Sequence, residues 1–199
     1  MPKLIDHTAR EIEVAEAAWR VAARDGVRGV SVRSVAAEAG IAPASLRRAF
    51  PTQAALLAYC LDLIRRRAAA RITALAEITD TASAAAVLEE LLPLDDERRL
   101  EAEVQFSLGT AALADPSLRT VADAAHRDVT HACRLVARVL TAPPRTERTT
   151  AMLHALLDGL ALHLIRQGED EPTDWAVEVL RRQLADLHPA DGGSGNTGA

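Results

Sequence analysis

Ser45, Arg47 and Arg48 fall within one turn of each other in the short segment PASLRRA, residues 43–49. Their chemistry is that of recognition rather than bond making. A guanidinium can grip a phosphate or present two parallel donors to the acceptor edge of guanine, and a hydroxyl can serve either target. Side chains of this kind reach base edges when a helix carries them into the major groove of duplex DNA. Elsewhere, His154 and Asp158 lie one helical turn apart and could share a metal ion, yet no third ligand stands at a suitable spacing. The sequence holds no Gly-rich phosphate loop and no nucleophile motif, so nothing is assigned to catalysis, a metal or a cofactor. His126, Thr130 and Cys133 recur at spacings of four, three and seven along one edge of a helical pattern. They either line a small-molecule pocket or are boundary residues whose polar groups satisfy one another.

The elements that must position the arginines are written in SVRSVAAEAGIAPASLRRAF, Ser31 to Phe50. Val32, Val35 and Ala36 share the inner face of one short helix, and Leu46 and Phe50 that of a second. Ser31 is a suitable N-cap, Gly40 supplies a turn that a Cβ would resist, and Pro43 fits a first helical position. This is the pattern of a helix-turn-helix. A preceding helix is expected over Thr8–Asp25, with Val14, Ala17, Ala18, Val21 and Ala22 on one face and Gly26 ending it. Residues 27–30 link it to the motif. The three helices make a head of about 50 residues, a small core to stand alone.

Composition agrees with helices throughout. Of 199 residues 49% are hydrophobic but only 3% aromatic, so the core is Ala, Leu and Val, without period-two runs that would make a sheet. The net charge of −5 argues against a general coat for nucleic acid. It is unevenly spread: residues 1–51 carry eight Lys and Arg against six Asp and Glu, net +2, and the rest fifteen against twenty-two, net −7. A basic head on an acidic body suits a protein that touches DNA with one end. Cys60 and Cys133 sit in apolar helical patterns and read as buried thiols of a reducing compartment. With no signal peptide and no membrane-length apolar run, a cytoplasmic protein without membrane contact is expected.

The body reads as six further helices. A long one is expected from Thr52 to about Ile78, with the run Arg65-Arg66-Arg67 either solvated or touching DNA. The fifth, Ser83–Leu92, is stopped by Pro93, and the sixth opens on Asp95-Asp96-Glu97 and runs to Ala114. The sixth carries a stripe of Leu100, Val104, Leu108 and Ala111 and another of Phe106, Gly109 and Leu113, which implies cover on two faces. Asp115-Pro116 starts the seventh. A loop is expected at Thr141–Arg145, then an eighth helix, Thr146–Gln167, apolar almost all round and thus suited to a partner subunit. Thr173–Leu187 gives the ninth, and the Gly-rich stretch from Pro189 should be disordered. The expected organisation is an all-α chain: a DNA-binding head at 1–51, a regulatory and dimerisation body at 52–188, and a tail at 189–199.

The helix ending at Gly26, Ser31-Val32-Arg33, Val35-Ala36, Ala39-Gly40-Ile41, Leu46, and Phe50 followed by Ala54-Ala55-Leu56-Leu57 resemble the N-terminal domain of TetR-type transcriptional repressors over about Ile12 to Leu57. Leu91-Leu92-Pro93-Leu94-Asp95-Asp96-Glu97-Arg98-Arg99 and Leu156-Leu157-Asp158-Gly159-Leu160-Ala161 resemble the C-terminal domain of the BetI-like branch. The resemblance implies a ligand-responsive repressor: a homodimer whose two recognition helices, about 34 Å apart, enter successive major grooves of a near-palindromic operator. The DNA-facing set is then Ser31, Arg33, Ala42, Pro43, Ala44, Ser45, Arg47, Arg48, Thr52 and Gln53. Departures fall inside it: Ala42 replaces the usual Ser, Arg47 a Tyr and Gln53 a Lys, and Ala49 next to it replaces a His. Losing the Ser removes a cap worth roughly 1 kcal/mol, partly offset by Pro43. Arg47 can replace a Tyr phosphate contact or read guanine, so the operator should differ from the family's commonest one.

For a small lipophilic effector of unknown identity, the expected contacts are Phe106, His126, Thr130, Cys133, His154 and Asp158. For the dimer they are Leu153, Leu156, Gly159, Leu160, His163, Leu164, Trp175 and Val179, with Gly159 letting helices cross closely. Two other classes compete: a family member that has lost DNA binding and acts through a ligand or protein partner, and a helical enzyme.

Overall fold

The computed structural model describes residues 7–26, 29–168 and 170–187, with side chains from Ile12 onward. Among these residues the fold is all-α, with nine α-helices: α1 His7–Asp25, α2 Val32–Glu38, α3 Pro43–Ala49, α4 Gln53–Thr73, α5 Thr81–Glu89, α6 Asp96–Ala114, α7 Arg119–Leu140, α8 Pro143–Arg166 and α9 Asp174–Leu187. A short 3-10 turn, Pro116–Leu118, leads into α7. The disordered tail expected from Pro189 lies outside the described residues.

Local chemistry explains most of the boundaries. Asp95 caps α6 by accepting from the Arg98 amide at 2.8 Å, and Asp96 and Glu97 place negative charge at the positive end of that helix. Asp80 and Ser83 form a reciprocal capping box that opens α5 at Thr81, two residues ahead of the expected start. The same box draws the Thr79 and Asp80 amides onto the Ser83 hydroxyl, both at 3.0 Å. α4 stops at Thr73, where the Leu75 amide turns back to the Ile72 carbonyl at 3.1 Å in a 3-10-type bond, rather than near Ile78. α5 itself ends at Glu89, short of Leu92, because 3-10-type bonds from Leu91 to Leu88 and Leu92 to Glu89 tighten the chain ahead of Pro93. The expected loop at Thr141–Arg145 shrinks to Thr141 and Ala142, and α8 opens at Pro143: Pro143 and Pro144 sit where helical amides have no acceptor, so their missing N–H groups cost nothing.

The chain divides into two compact units, residues 1–71 with 93–128, and residues 72–92 with 129–199. The first is built on one core, in which Trp19, Val21, Val35, Leu46, Leu56, Leu61 and Leu108 are buried together. α4 is pinned in this unit on two sides. Arg67 and Arg71, one turn apart, face α1 and α6: Arg67 bridges Glu97 at 2.7 Å and Glu16 at 3.3 Å, and Arg71 meets Glu101 at 2.8 Å. Arg65 pairs with Asp128 of α7. Of the three successive arginines only Arg66 is exposed, held by Asp62 at 3.3 Å. The second stripe of α6 is not covered as expected: Phe106 is half-buried, but Leu113 is 80% exposed. In the second unit α9 packs against α5 and α8, and Leu88, Leu153, Leu164, Leu180 and Leu184 are fully buried.

Exposed pairs such as Arg20–Glu38 add little singly, because solvent screens them. Glu101 differs, being 6% exposed. Burial pushes its carboxyl above the ordinary range, and hydrogen bonding and charge from Arg71 offset only part of that push. The folded chain therefore holds this proton to higher pH than the unfolded chain does. The stability Glu101 contributes is full below the ordinary glutamate range and declines as pH rises through the raised value. In urea titrations between about pH 4 and 7, the unfolding free energy of the native chain should fall relative to that of Glu101→Gln as pH rises. Parallel profiles would show that the buried pair does not titrate as described.

Candidate functional site

α2 starts at Ser31, whose hydroxyl accepts from the Ser34 amide at 3.1 Å while Ser34 Oγ accepts from the Ser31 amide at 2.9 Å. Ser34 Oγ also donates to the Gly29 carbonyl at 2.7 Å, which fixes the approach to the helix. The far end is closed by Gly40 at φ +65°, with the Ile41 amide reaching back to the Ala36 carbonyl at 2.9 Å and the Gly40 amide to Ala37 at 3.3 Å. That is a Schellman closure, and it drops Ile41 against the core. α3 follows after two residues. Ala42 has no side chain to cap it, so its carbonyl alone receives the Ser45 and Leu46 amides, and Pro43 removes one orphan donor.

Leu46, 2% exposed, and Phe50, 8%, set the rotation of α3. Phe50 stacks at a tilt on Tyr59 of α4, with ring centroids 5.2 Å apart. The opposite face carries Pro43, Ala44, Ser45, Arg47 and Arg48, all exposed. Among the described residues neither Arg47 nor Arg48 makes an ion pair or hydrogen bond, so both guanidinia are available to an anion. Arg33 on α2 is likewise exposed. Thr52 and Gln53 are exposed but engaged: Thr52 Oγ1 accepts from the Ala55 amide at 3.0 Å, capping α4, and the Gln53 amide donates to the Val30 carbonyl. Gln53 thus ties the start of α4 to the approach to α2. Glu38 at the end of α2 receives Arg20 at 2.9 Å and Arg24 at 3.0 Å from α1, and these bonds hold its carboxyl below the ordinary range.

The residues considered for a ligand divide between the units. Phe106, half-buried, and His126, exposed, belong to the first; Thr130, Cys133, His154 and Asp158 belong to the second. There the Thr130 hydroxyl meets Nδ1 of the buried His154 at 3.0 Å, joining α7 to α8. His154 Nε2 lies 3.7 Å from Asp158, too far for a hydrogen bond and attractive only when the imidazole is protonated. Cys133 is fully buried; burial, then the charge of Asp158, pushes its thiol up to about 12, and burial does the same to Cys60. Neither thiol is a nucleophile at neutral pH.

On α8 and α9, Leu153, Leu160 and Leu164 face the chain's own interior, Leu156 and Gly159 are half-exposed, and His163, Trp175 and Val179 are exposed. A Cβ at Gly159 would meet no atom within 4 Å in the single chain. The His163 and Trp175 rings meet edge to face at 6.4 Å, and Trp175 Nε1 donates to Gln167 Oε1 at 3.1 Å, so the outward faces of α8 and α9 form one surface. Sequence reasoning did not find three links: Gln53 to Val30, Thr130 to His154, and Arg67 over the Trp19 ring at 4.3 Å.

Residues 14–60 match the family model of bacterial regulatory proteins of the tetR family, and residues 80–189 match that of the C-terminal region of BetI-type transcriptional repressors. The HTH-type transcriptional regulator PksA of Bacillus subtilis (strain 168) is 33% identical over 171 residues, 82% of either chain. A transcriptional regulator from Rhodococcus sp. Rha1 superposes with a TM-score of 0.80 at 28% identity, over 89% of this chain and 95% of that one. The multidrug binding protein EbrR complexed with ethidium gives a TM-score of 0.67 at 31% identity, over 91% of this chain and 99% of its own.

The closure of α2 is directly testable. A Cβ at Gly40 meets open space, so only its positive φ demands glycine. Gly40→Ala is expected to cost about 1–2 kcal/mol of unfolding free energy in urea titration, whereas an unchanged midpoint would mean the turn relaxes without penalty.

Proposed function

The chain belongs to the TetR family of bacterial regulatory proteins, with a BetI-type C-terminal region, and on that premise we propose that α3 reads a near-palindromic operator while the helical body answers to a small lipophilic effector. The chain is a transcriptional regulator and not an enzyme. Among the described residues no helix is long and apolar enough to cross a membrane. What carries the proposal is the exposed, unpartnered pair Arg47 and Arg48 on a helix whose rotation Leu46 and Phe50 fix.

Arg47 and Arg48 are the readers, and Ala42, Pro43 and Ala44 allow close approach of the α3 backbone. Ser31, Arg33, Ser45 and Thr52 contact phosphates, which set orientation without reading sequence. Gln53, held by Val30, acts by placing the start of α4. In this reading residues 1–51 bind DNA and residues 52–188 serve the effector and the dimer. Two chains meet across α8 and α9, with Gly159 at the crossing and Leu156, His163, Trp175 and Val179 around it; Leu153, Leu160 and Leu164 form the layer beneath. The complex with ethidium of the relative EbrR supports a lipophilic effector. Here its polar contacts are Thr130, His154 and Asp158, with the inert Cys133 as part of the wall. Phe106 and His126 enter as expectations from the sequence alone. The effector acts by preferring one conformation of the dimer over another, and the shift is limited to that difference in affinity.

Fluorescence anisotropy with DNA from upstream of the chain's own gene tests the reader assignment. Arg47→Ala should weaken binding by about 1–3 kcal/mol and relax preference at one base pair in each half-site. Equal losses on every sequence, with the salt slope reduced by about one, would make Arg47 a phosphate contact instead.

A further inference from the structure

The second unit also holds a groove at the start of α8, whose exposed Met152 lies one turn before Leu156 on the stripe that carries Gly159. It has a volume of about 340 Å³ and lies between the first three turns of α8 and the end of α9, lined by Arg145, Arg148, Thr149, Met152 and Leu187. This is the low end of the roughly 300–1,000 Å³ of small-molecule sites.

Three features of the lining point to one ligand chemistry. Arg145 and Arg148 are exposed, and among the described residues neither has an ion pair or hydrogen bond, whereas Arg134 pairs with Glu147 and Arg181 with Glu89 in the same unit. Thr149 is 5% exposed, yet its hydroxyl has no partner among the described residues, whereas those of its neighbours Thr141 and Thr150 bond to carbonyls four residues back at 2.8 Å. The Met152 and Leu187 side chains give the groove an apolar wall. Two cations and a hydroxyl beside thioether and aliphatic surface match an anionic head on an aliphatic chain. The arginines' planar forks can hold a carboxylate through two parallel bonds.

We propose that this groove binds medium-chain aliphatic carboxylates, with Arg145 and Arg148 on the head group, Thr149 donating to it, and Met152 and Leu187 along the chain. The site is independent of the proposed DNA readout and effector chamber, and its failure would leave both standing.

Decanoate is the probe, and the Met152 methyl is the reporter, one of two methionine signals in a chain whose other methionine is Met1. In a methyl-detected NMR titration of the full chain, decanoate should shift the Met152 signal saturably. The exposed double variant Arg145→Gln with Arg148→Gln should weaken that response at least tenfold, and Thr149→Val, which keeps the side-chain shape, severalfold. Decyltrimethylammonium, with the same chain and opposite charge, should leave the signal in place. No saturable shift with decanoate, equal affinity in the double variant, or an equal response to the cation would each overturn the proposal, the last by showing a merely greasy surface.

Discussion

A carboxylate as buried as Glu101 keeps a charge only while a cation stands beside it, and the guanidinium of Arg71 does so at 2.8 Å. One turn earlier on α4, Arg67 spans Glu97 of α6 and Glu16 of α1 and lies over the Trp19 ring. With Arg65 on Asp128 of α7, these contacts leave α4 little freedom to rotate or slide within its unit. Exposed pairs of this sort contribute little singly. Here they share side chains and act around an apolar core that includes Trp19, Leu56 and Leu61, and that geometry gives them their value.

The consequence reaches α3 because α4 begins only three residues after it. Phe50 ends α3 and packs on Tyr59 of α4, while Gln53 at the head of α4 holds the Val30 carbonyl just before α2. The helix-turn-helix is therefore braced from both sides, by α1 through Arg20, Arg24 and Glu38 and by α4 through Phe50 and Gln53. Arg47 and Arg48 are left free on a rigid platform, the arrangement that recognition needs: the ordering cost is met in folding, and the long side chains alone adjust on binding.

What the sequence made legible is what short-range chemistry decides. Ser31, Gly26, Gly40, Pro43 and Asp95 each specify a cap or a turn through their own backbone or hydroxyl, and each stands where its type required. Pro143 and Pro144 misled because the same residue that breaks a helix interior is welcome in its first turn. The end of α4 was missed because residues 74–78, ALAEI, hold no Gly or Pro to mark it. The arginine ladder joins residues 30 and 51 positions apart, which periodicity along a single helix cannot see. Gln53, read from the sequence as facing DNA, is exposed and also holds the Val30 carbonyl, and the apolar face of α8 divides between the chain's own interior at Leu153, Leu160 and Leu164 and the surface at Leu156 and Gly159.

The account stands or falls on two copies of α3 engaging one duplex. Hydroxyl-radical footprinting of the upstream DNA by the native chain measures this directly. The account predicts two protected patches on one face of the duplex, centred about one helical turn apart over a near-palindrome and lost together in Arg47→Ala. A single protected patch, or no protection even at low salt, would contradict it.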